Sequence, residues 1–118
     1  MEFQQHTIGD VELRIARVNR GGRPTVLLTN AFPQSIRCWE SLWDRMAEHV
    51  DLLAVDLAGF GRSTGSGDVM RPSAQAGLLV ELLDALGIDQ VFLVGPDVGV
   101  PVTLWLAANE PDRVLGVN

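Results

Sequence analysis

The chain has 118 residues, of which 47% are hydrophobic and 20% charged, with a formal net charge of −6 and a single cysteine. That composition describes one folded domain or a part of one, and the acidic balance without any Lys/Arg cluster excludes a nucleic-acid partner, because nothing would offset phosphate repulsion. Cys38 cannot form an internal disulfide, and the polar start from Met1 to His6 has neither the basic nor the apolar region of a signal peptide, which together predict a cytoplasmic protein.

Val11 to Val18 alternates Val11, Leu13 and Ile15 with Glu12 and Arg14, the period of a half-buried strand. Arg20 to Pro24 then makes a turn. Three short runs, Thr25 to Thr29, Leu52 to Val55 and Val91 to Val94, have no polar face, which suits central parallel strands covered by helices. Between them Trp39, Leu42, Trp43, Met46 and Val50 recur at helical spacing, as do Leu79, Leu82, Leu83 and Leu86. Ser73, after Pro72, is the expected N-cap of the second helix, and Gly87 its stop.

Val91 to Ala108 is apolar enough to be mistaken for a membrane span. Asp97 near its centre, two prolines (Pro96, Pro101) and two glycines (Gly95, Gly99) would be costly in lipid, so no membrane association is expected. The segment reads as strand, turn and a helix from Val98 to Asn109. Val114 to Asn118 reads as a last strand whose apolar edge predicts self-association. Strand and helix alternate from Thr25 onward, implying right-handed crossovers and an α/β fold with a mostly parallel sheet and flanking helices. Ligands of such sheets bind beyond the carboxyl ends of the strands, so the loops beginning at Asn30, Asp56 and Gly95 are the informative ones.

The third of these loops is Gly95-Pro96-Asp97-Val98-Gly99, a G-x-D-x-G after an apolar strand and before a helix. Taken alone, it has two readings. Asp97 could cap the following helix, or it could stand on a strained turn with small neighbours that bring its side chain to the sheet edge. The second loop, Asp56-Leu57-Ala58-Gly59-Phe60-Gly61-Arg62-Ser63, is not a dinucleotide loop, because the third glycine of that pattern would fall on Thr64. The first, Asn30-Ala31-Phe32-Pro33-Gln34-Ser35, is followed by Trp39.

In this order the three loops, with Ala108 to Val114 after the last helix, resemble the α/β-hydrolases: an H-G-F-P oxyanion loop, a D-x-x-G-x-G-x-S segment and a nucleophile elbow. The resemblance covers nearly the whole chain. It implies that residues 1–118 are the amino-terminal part of a single α/β-hydrolase domain, truncated after the elbow helix and the start of the next strand, with no cap region.

Aspartate at the elbow resembles the epoxide hydrolase and dehalogenase branch. A carboxylate attacking an ester would form an anhydride, whereas attack on a saturated carbon bearing halide or epoxide oxygen forms an ordinary ester. The resemblance therefore implies Asp97 as nucleophile, backbone N–H groups of Phe32 and Val98 as oxyanion donors, and Asn30 among the substrate-binding residues. It implies Gly95 and Gly99 as the small elbow residues, a small-molecule substrate, and neither metal nor cofactor.

Several positions depart from the pattern. Asn30-Ala31 replaces His-Gly, and Pro96 precedes the nucleophile. Val98 stands where haloalkane dehalogenases carry a halide-binding tryptophan and fluoroacetate dehalogenases a carboxylate-binding arginine. Epoxide hydrolases use cap tyrosines, and this sequence has none. No histidine follows Asp97; His6 and His49 are expected in structural or solvent-facing roles. Ester formation without turnover is the expectation. Cys38 is expected to pack in the interior, Trp39, Trp43 and Trp105 to serve core or interface, and Arg62, Glu81 and Asp84 to face water. The alternatives are a non-catalytic remnant or assembly module of the same fold, and a relative of enol-lactonases suggested by Thr29-Asn30.

Overall fold

Side chains alternate across a strand, so a run that is apolar at every position must bury both faces. All five residues of Asp51–Val55 are buried. The computed structural model describes residues 1–118 and contains one six-stranded sheet. Its strands are β1 (Phe3–Ile8), β2 (Val11–Val18), β3 (Thr25–Thr29), β4 (Asp51–Val55), β5 (Val91–Val94) and β6 (Val114–Val117), in the spatial order β1-β2-β4-β3-β5-β6. The β4, β3, β5 and β6 strands run parallel, while β1 and β2 form an antiparallel hairpin added at one side. The expected mostly parallel sheet with flanking helices is therefore present.

Period two sorts the core into two layers. Leu27, Leu53, Val91 and Leu93 face α2 (Pro72–Leu86) and α3 (Gly99–Asn109), meeting Leu79, Leu82, Leu83, Val102 and Leu106. Leu28, Leu52 and Ala54 face the other way, onto Trp43 and Ala47 of α1 (Glu40–Ala47). Each such leucine contributes about 1.5–3 kcal/mol when fully buried, so a one-residue slip of any central strand would exchange the layers at large cost.

One strand went unread, and three expectations need correction. The β1 strand was not anticipated, because Phe-Gln-Gln-His-Thr-Ile is too polar for a core strand. It is the outermost strand, and the two-residue turn at Gly9 and Asp10, with Gly9 at φ 58°, sets the register Ile8↔Val11. Arg14 does not face water: it is only 9% exposed, because β4 and its loop lie beside β2 and supply a carboxylate. Leu42 is 46% exposed, since Trp39 lies in a preceding 3-10 turn (Ile36–Trp39) and the apolar face of α1 is rotated onto Trp43 and Ala47. Ser73 caps nothing; Arg71 holds the N-cap position and Pro72 opens α2, where its missing N–H leaves no bond unmade. Gly87 does stop α2, at φ 70°.

Candidate active site

The carboxyl ends of β3, β4 and β5 bring together the loops that begin at Asn30, Asp56 and Gly95. Asp97 is the one non-glycine residue at positive φ, 55°. That conformation costs about 1–2 kcal/mol for an L-residue, and the surroundings impose it. A Cβ at Gly95 would lie 2.5 Å from Thr103 Cγ2 and 2.8 Å from the Gly99 carbonyl oxygen, and one at Gly99 would overlap the Thr29 hydroxyl. With no side chain at either position, α3 starts hard against the ends of β3 and β5.

The side chain of Asp97 leaves its own helix. No side chain caps α3, and Asp97 Oδ2 instead accepts the backbone N–H of Phe32 at 2.8 Å. The capping reading is thereby removed. Asp97 and Phe32 are both exposed, and Val98 is half-buried at the start of α3.

A second carboxylate, singled out in the sequence only as part of a loop pattern, organises the surroundings. Asp56 is fully buried and accepts the Ile36 N–H at 2.7 Å, the Arg62 N–H at 3.0 Å and Arg14 Nε at 2.8 Å. Ser63 donates its hydroxyl to the Asp56 carbonyl at 2.6 Å and accepts the Arg14 N–H at 2.8 Å. Gly61, at φ 53°, must be glycine because its Cβ would fall on the Asp56 carboxylate. The Arg14 guanidinium also lies 4.5 Å from the Phe3 ring centre. The D-x-x-G-x-G-x-S pattern is thus a knot tying β2, β4 and the Phe32 loop together. The pairing of an aspartate with glycines at the third and fifth positions after it was the available signal.

Asn30 does not reach the site surface. It is fully buried, its Oδ1 accepts the Leu57 N–H at 2.8 Å, and its Nδ2 donates to the Ala31 carbonyl at 3.3 Å. The expected substrate contact is corrected to a brace between two loops. Trp39 is half-buried and donates Nε1 to the Thr29 carbonyl at 2.9 Å, which holds the Phe32 loop from its far end. Trp43 is buried, whereas Trp105 is 36% exposed on α3.

Val98, the residue after Asp97, lines a cavity of about 200 Å³ whose walls also include Leu57, Phe60, Met70, Gln75 and Val102. Phe60 meets Phe32 edge to face, with ring centres 6.3 Å apart. On the other flank, Pro33, Ser35, Cys38 and Gly61 border an open hollow of about 670 Å³. Cys38 is exposed there and not packed in the interior, because the 3-10 turn points it outward. Partial desolvation pushes its thiol above the ordinary value; a backbone hydrogen bond at Ala31 opposes this, and the Asp56 charge adds to it.

Neither histidine approaches Asp97. His6 is on β1, four strand positions from β5, on the order of 19 Å across the sheet. His49 is exposed just before β4, at the opposite end of the sheet. No group of three His, Cys, Asp or Glu side chains is placed to hold a metal, and no helix is long and apolar enough to cross a membrane.

Residues 24–117 match the family model described as alpha/beta hydrolase fold. Epoxide hydrolase 2 of Siraitia grosvenorii is 35% identical over 97% of this chain and 37% of its own length. Haloalkane dehalogenase of Mesorhizobium japonicum is 38% identical over 80% of this chain and 30% of its own. The crystal structure of wild-type Cfl2 from Burkholderia cenocepacia superposes with a TM-score of 0.91 at 27% identity, over 98% of this chain and 39% of the other. The chain thus spans about a third of the length of the relatives it matches, and those relatives include epoxide hydrolases and haloalkane dehalogenases. With the sheet order, the crossover helices and the family match in agreement, the chain belongs to the α/β-hydrolase fold family.

Proposed function

We propose that Asp97 is the nucleophile of a hydrolase acting on epoxides or alkyl halides, and that its turn is a nucleophile elbow. The observation that carries this reading is the carboxylate held at positive φ and directed to the Phe32 N–H instead of its own helix. One carboxylate oxygen, Oδ2, is fixed by that donor, which leaves Oδ1 for attack. An Oδ1 lone pair forms the new C–O bond as the carbon–halogen or epoxide C–O bond breaks. The halide leaves with the electron pair, or the epoxide oxygen keeps it and takes a proton from water. The product is an alkyl ester of Asp97.

Release requires water to add to the ester carbonyl, with the N–H groups of Phe32 and Val98 as donors to the oxyanion. The water needs a general base, whose contribution is roughly 10²–10⁴ in rate. His6 and His49 are too remote for this, so these 118 residues are expected to stop at the ester. We assign them to one part of a single hydrolase domain, with base, second acid and cap supplied from outside them. Incubation with a panel of epoxides and haloalkanes, followed by peptide mass analysis, should place the adduct on Asp97. Adducts elsewhere, or sustained turnover by the 118-residue chain, would contradict the scheme.

A second reading is favoured by β6, the edge strand, where Leu115 and Val117 are 45% and 41% exposed. An uncovered parallel edge of this kind pairs readily with another strand. Sedimentation of the 118-residue chain should reveal concentration-dependent association, and a monodisperse monomer at high concentration would remove this reading.

A further inference from the structure

We infer that the cavity beside Asp97 is a subsite for an apolar substituent of about phenyl size on the reacting carbon, which selects against carboxylate-bearing substrates. This inference rests on the proposed role of Asp97 and goes beyond it by naming the substrate class.

Position comes first. Val98, the residue after Asp97, forms part of the cavity wall, and Phe60, also in the wall, meets edge to face the ring of Phe32, whose N–H holds the Asp97 carboxylate. A group bonded to the carbon under attack would therefore lie at the cavity mouth.

Chemistry comes second. Of the eight residues around the cavity none is charged. The one polar side chain, Gln75, is 2% exposed and turned to the backbone of Ala58: its Oε1 accepts the Ala58 N–H at 2.9 Å and its Nε2 donates to the Ala58 carbonyl at 2.8 Å. A carboxylate entering there would lose water and meet no positive charge in the walls, whereas an apolar group loses nothing polar.

Size comes third. An engineered apolar cavity of about 150 Å³ accommodates benzene. At about 200 Å³ this one accommodates a phenyl ring or a comparable alkyl chain. Met70, 37% exposed at the rim, offers an adaptable thioether that can move against a ring.

The test separates binding from reaction. Methyl-labelled protein is titrated with benzyl alcohol, which carries the ring but no electrophile, and with acetate, and the Leu57, Val98 and Val102 methyl resonances are followed. Saturable shifts with benzyl alcohol and none with acetate are expected. Val102→Phe, which fills the cavity, and Met70→Trp, which covers its mouth from the rim should the first variant fold poorly, are each expected to weaken benzyl alcohol binding roughly tenfold or more. Absence of shifts at these methyls, or an equal response to acetate, overturns the subsite. In parallel, styrene oxide should label Asp97 roughly tenfold or more faster than propylene oxide. Equal labelling rates overturn the role in substrate selection. Intact benzyl alcohol binding with no labelling of Asp97 by any electrophile would sink the nucleophile and leave the cavity standing as a binding site.

Discussion

Phe32 and Asp97 are 65 residues apart in the chain and joined by a 2.8 Å hydrogen bond from a backbone N–H to a carboxylate oxygen. The bond connects the loop after β3 with the turn after β5, neighbouring parallel strands. It gives Asp97 a partner that a helix-capping residue would not need.

Because Asp97 is held at φ 55°, its replacement by glycine removes the steric cost of that conformation. Asp97→Gly is expected to leave stability unchanged or raise it by up to about 1 kcal/mol, while abolishing adduct formation. Urea unfolding beside mass analysis of epoxide-treated protein checks both halves. A marked loss of stability would mean that the carboxylate serves the fold.

Gly99 is expected to be far less tolerant. Gly99→Ala drives a methyl group into the Thr29 side chain and should cost about 1–3 kcal/mol. Thr29 also carries a buried hydroxyl with no hydrogen-bond partner. Thr29→Ala removes both that hydroxyl and the obstruction, so the double variant should recover part of the loss. A double-mutant cycle in denaturant measures the coupling, and strict additivity would show that the two side chains do not meet.

Asp56→Ala leaves the buried Arg14 guanidinium without its counter-charge and unties three donors at once. Removing one partner of such a pair typically costs about 3–5 kcal/mol. The Phe32 loop should loosen first, visible as faster amide exchange at Ile36 and Arg62 than in β4. Uniform loss of protection across the sheet would contradict the loop-tying role.

Asp51 offers a pH test. Burial alone would raise its carboxyl, but the N–H of Arg20, the Arg23 guanidinium and the N–H of Gly21 outweigh that, so the folded-state value is lowered. A lowered value stabilises the fold above the unfolded-state value of about 4, and the contribution fades as pH falls through the folded value. The stability gap between the native protein and Asp51→Asn should be constant above about pH 5 and shrink below about pH 4. A gap that widens in acid would show that the sign is wrong.

Legibility in the sequence followed how local each determinant is. The central strands β3, β4 and β5 could be read from runs with no polar face, and Gly87 from its place after the last helical leucine. The β1 strand escaped because its hydrogen bonds to β2, and not its side chains, hold it in the sheet. Arg14 and Asn30 were misplaced for a shared reason: each is polar, and each is buried against a partner contributed by a distant loop.

Residue order alone determined the alternation of strand and helix, the mostly parallel sheet and the tight turn around Asp97, because hydrophobic period and small neighbours act within a few residues along the chain. Only the tertiary structure decided where the carboxylates point. Asp97 turns to Phe32 and Asp56 to Arg14 and Ile36 because parallel pairing of β3 with β4 and β5 gathers their loops at one edge of the sheet. Hydrogen-bond partners in that setting are chosen by proximity in space, which a linear pattern does not encode.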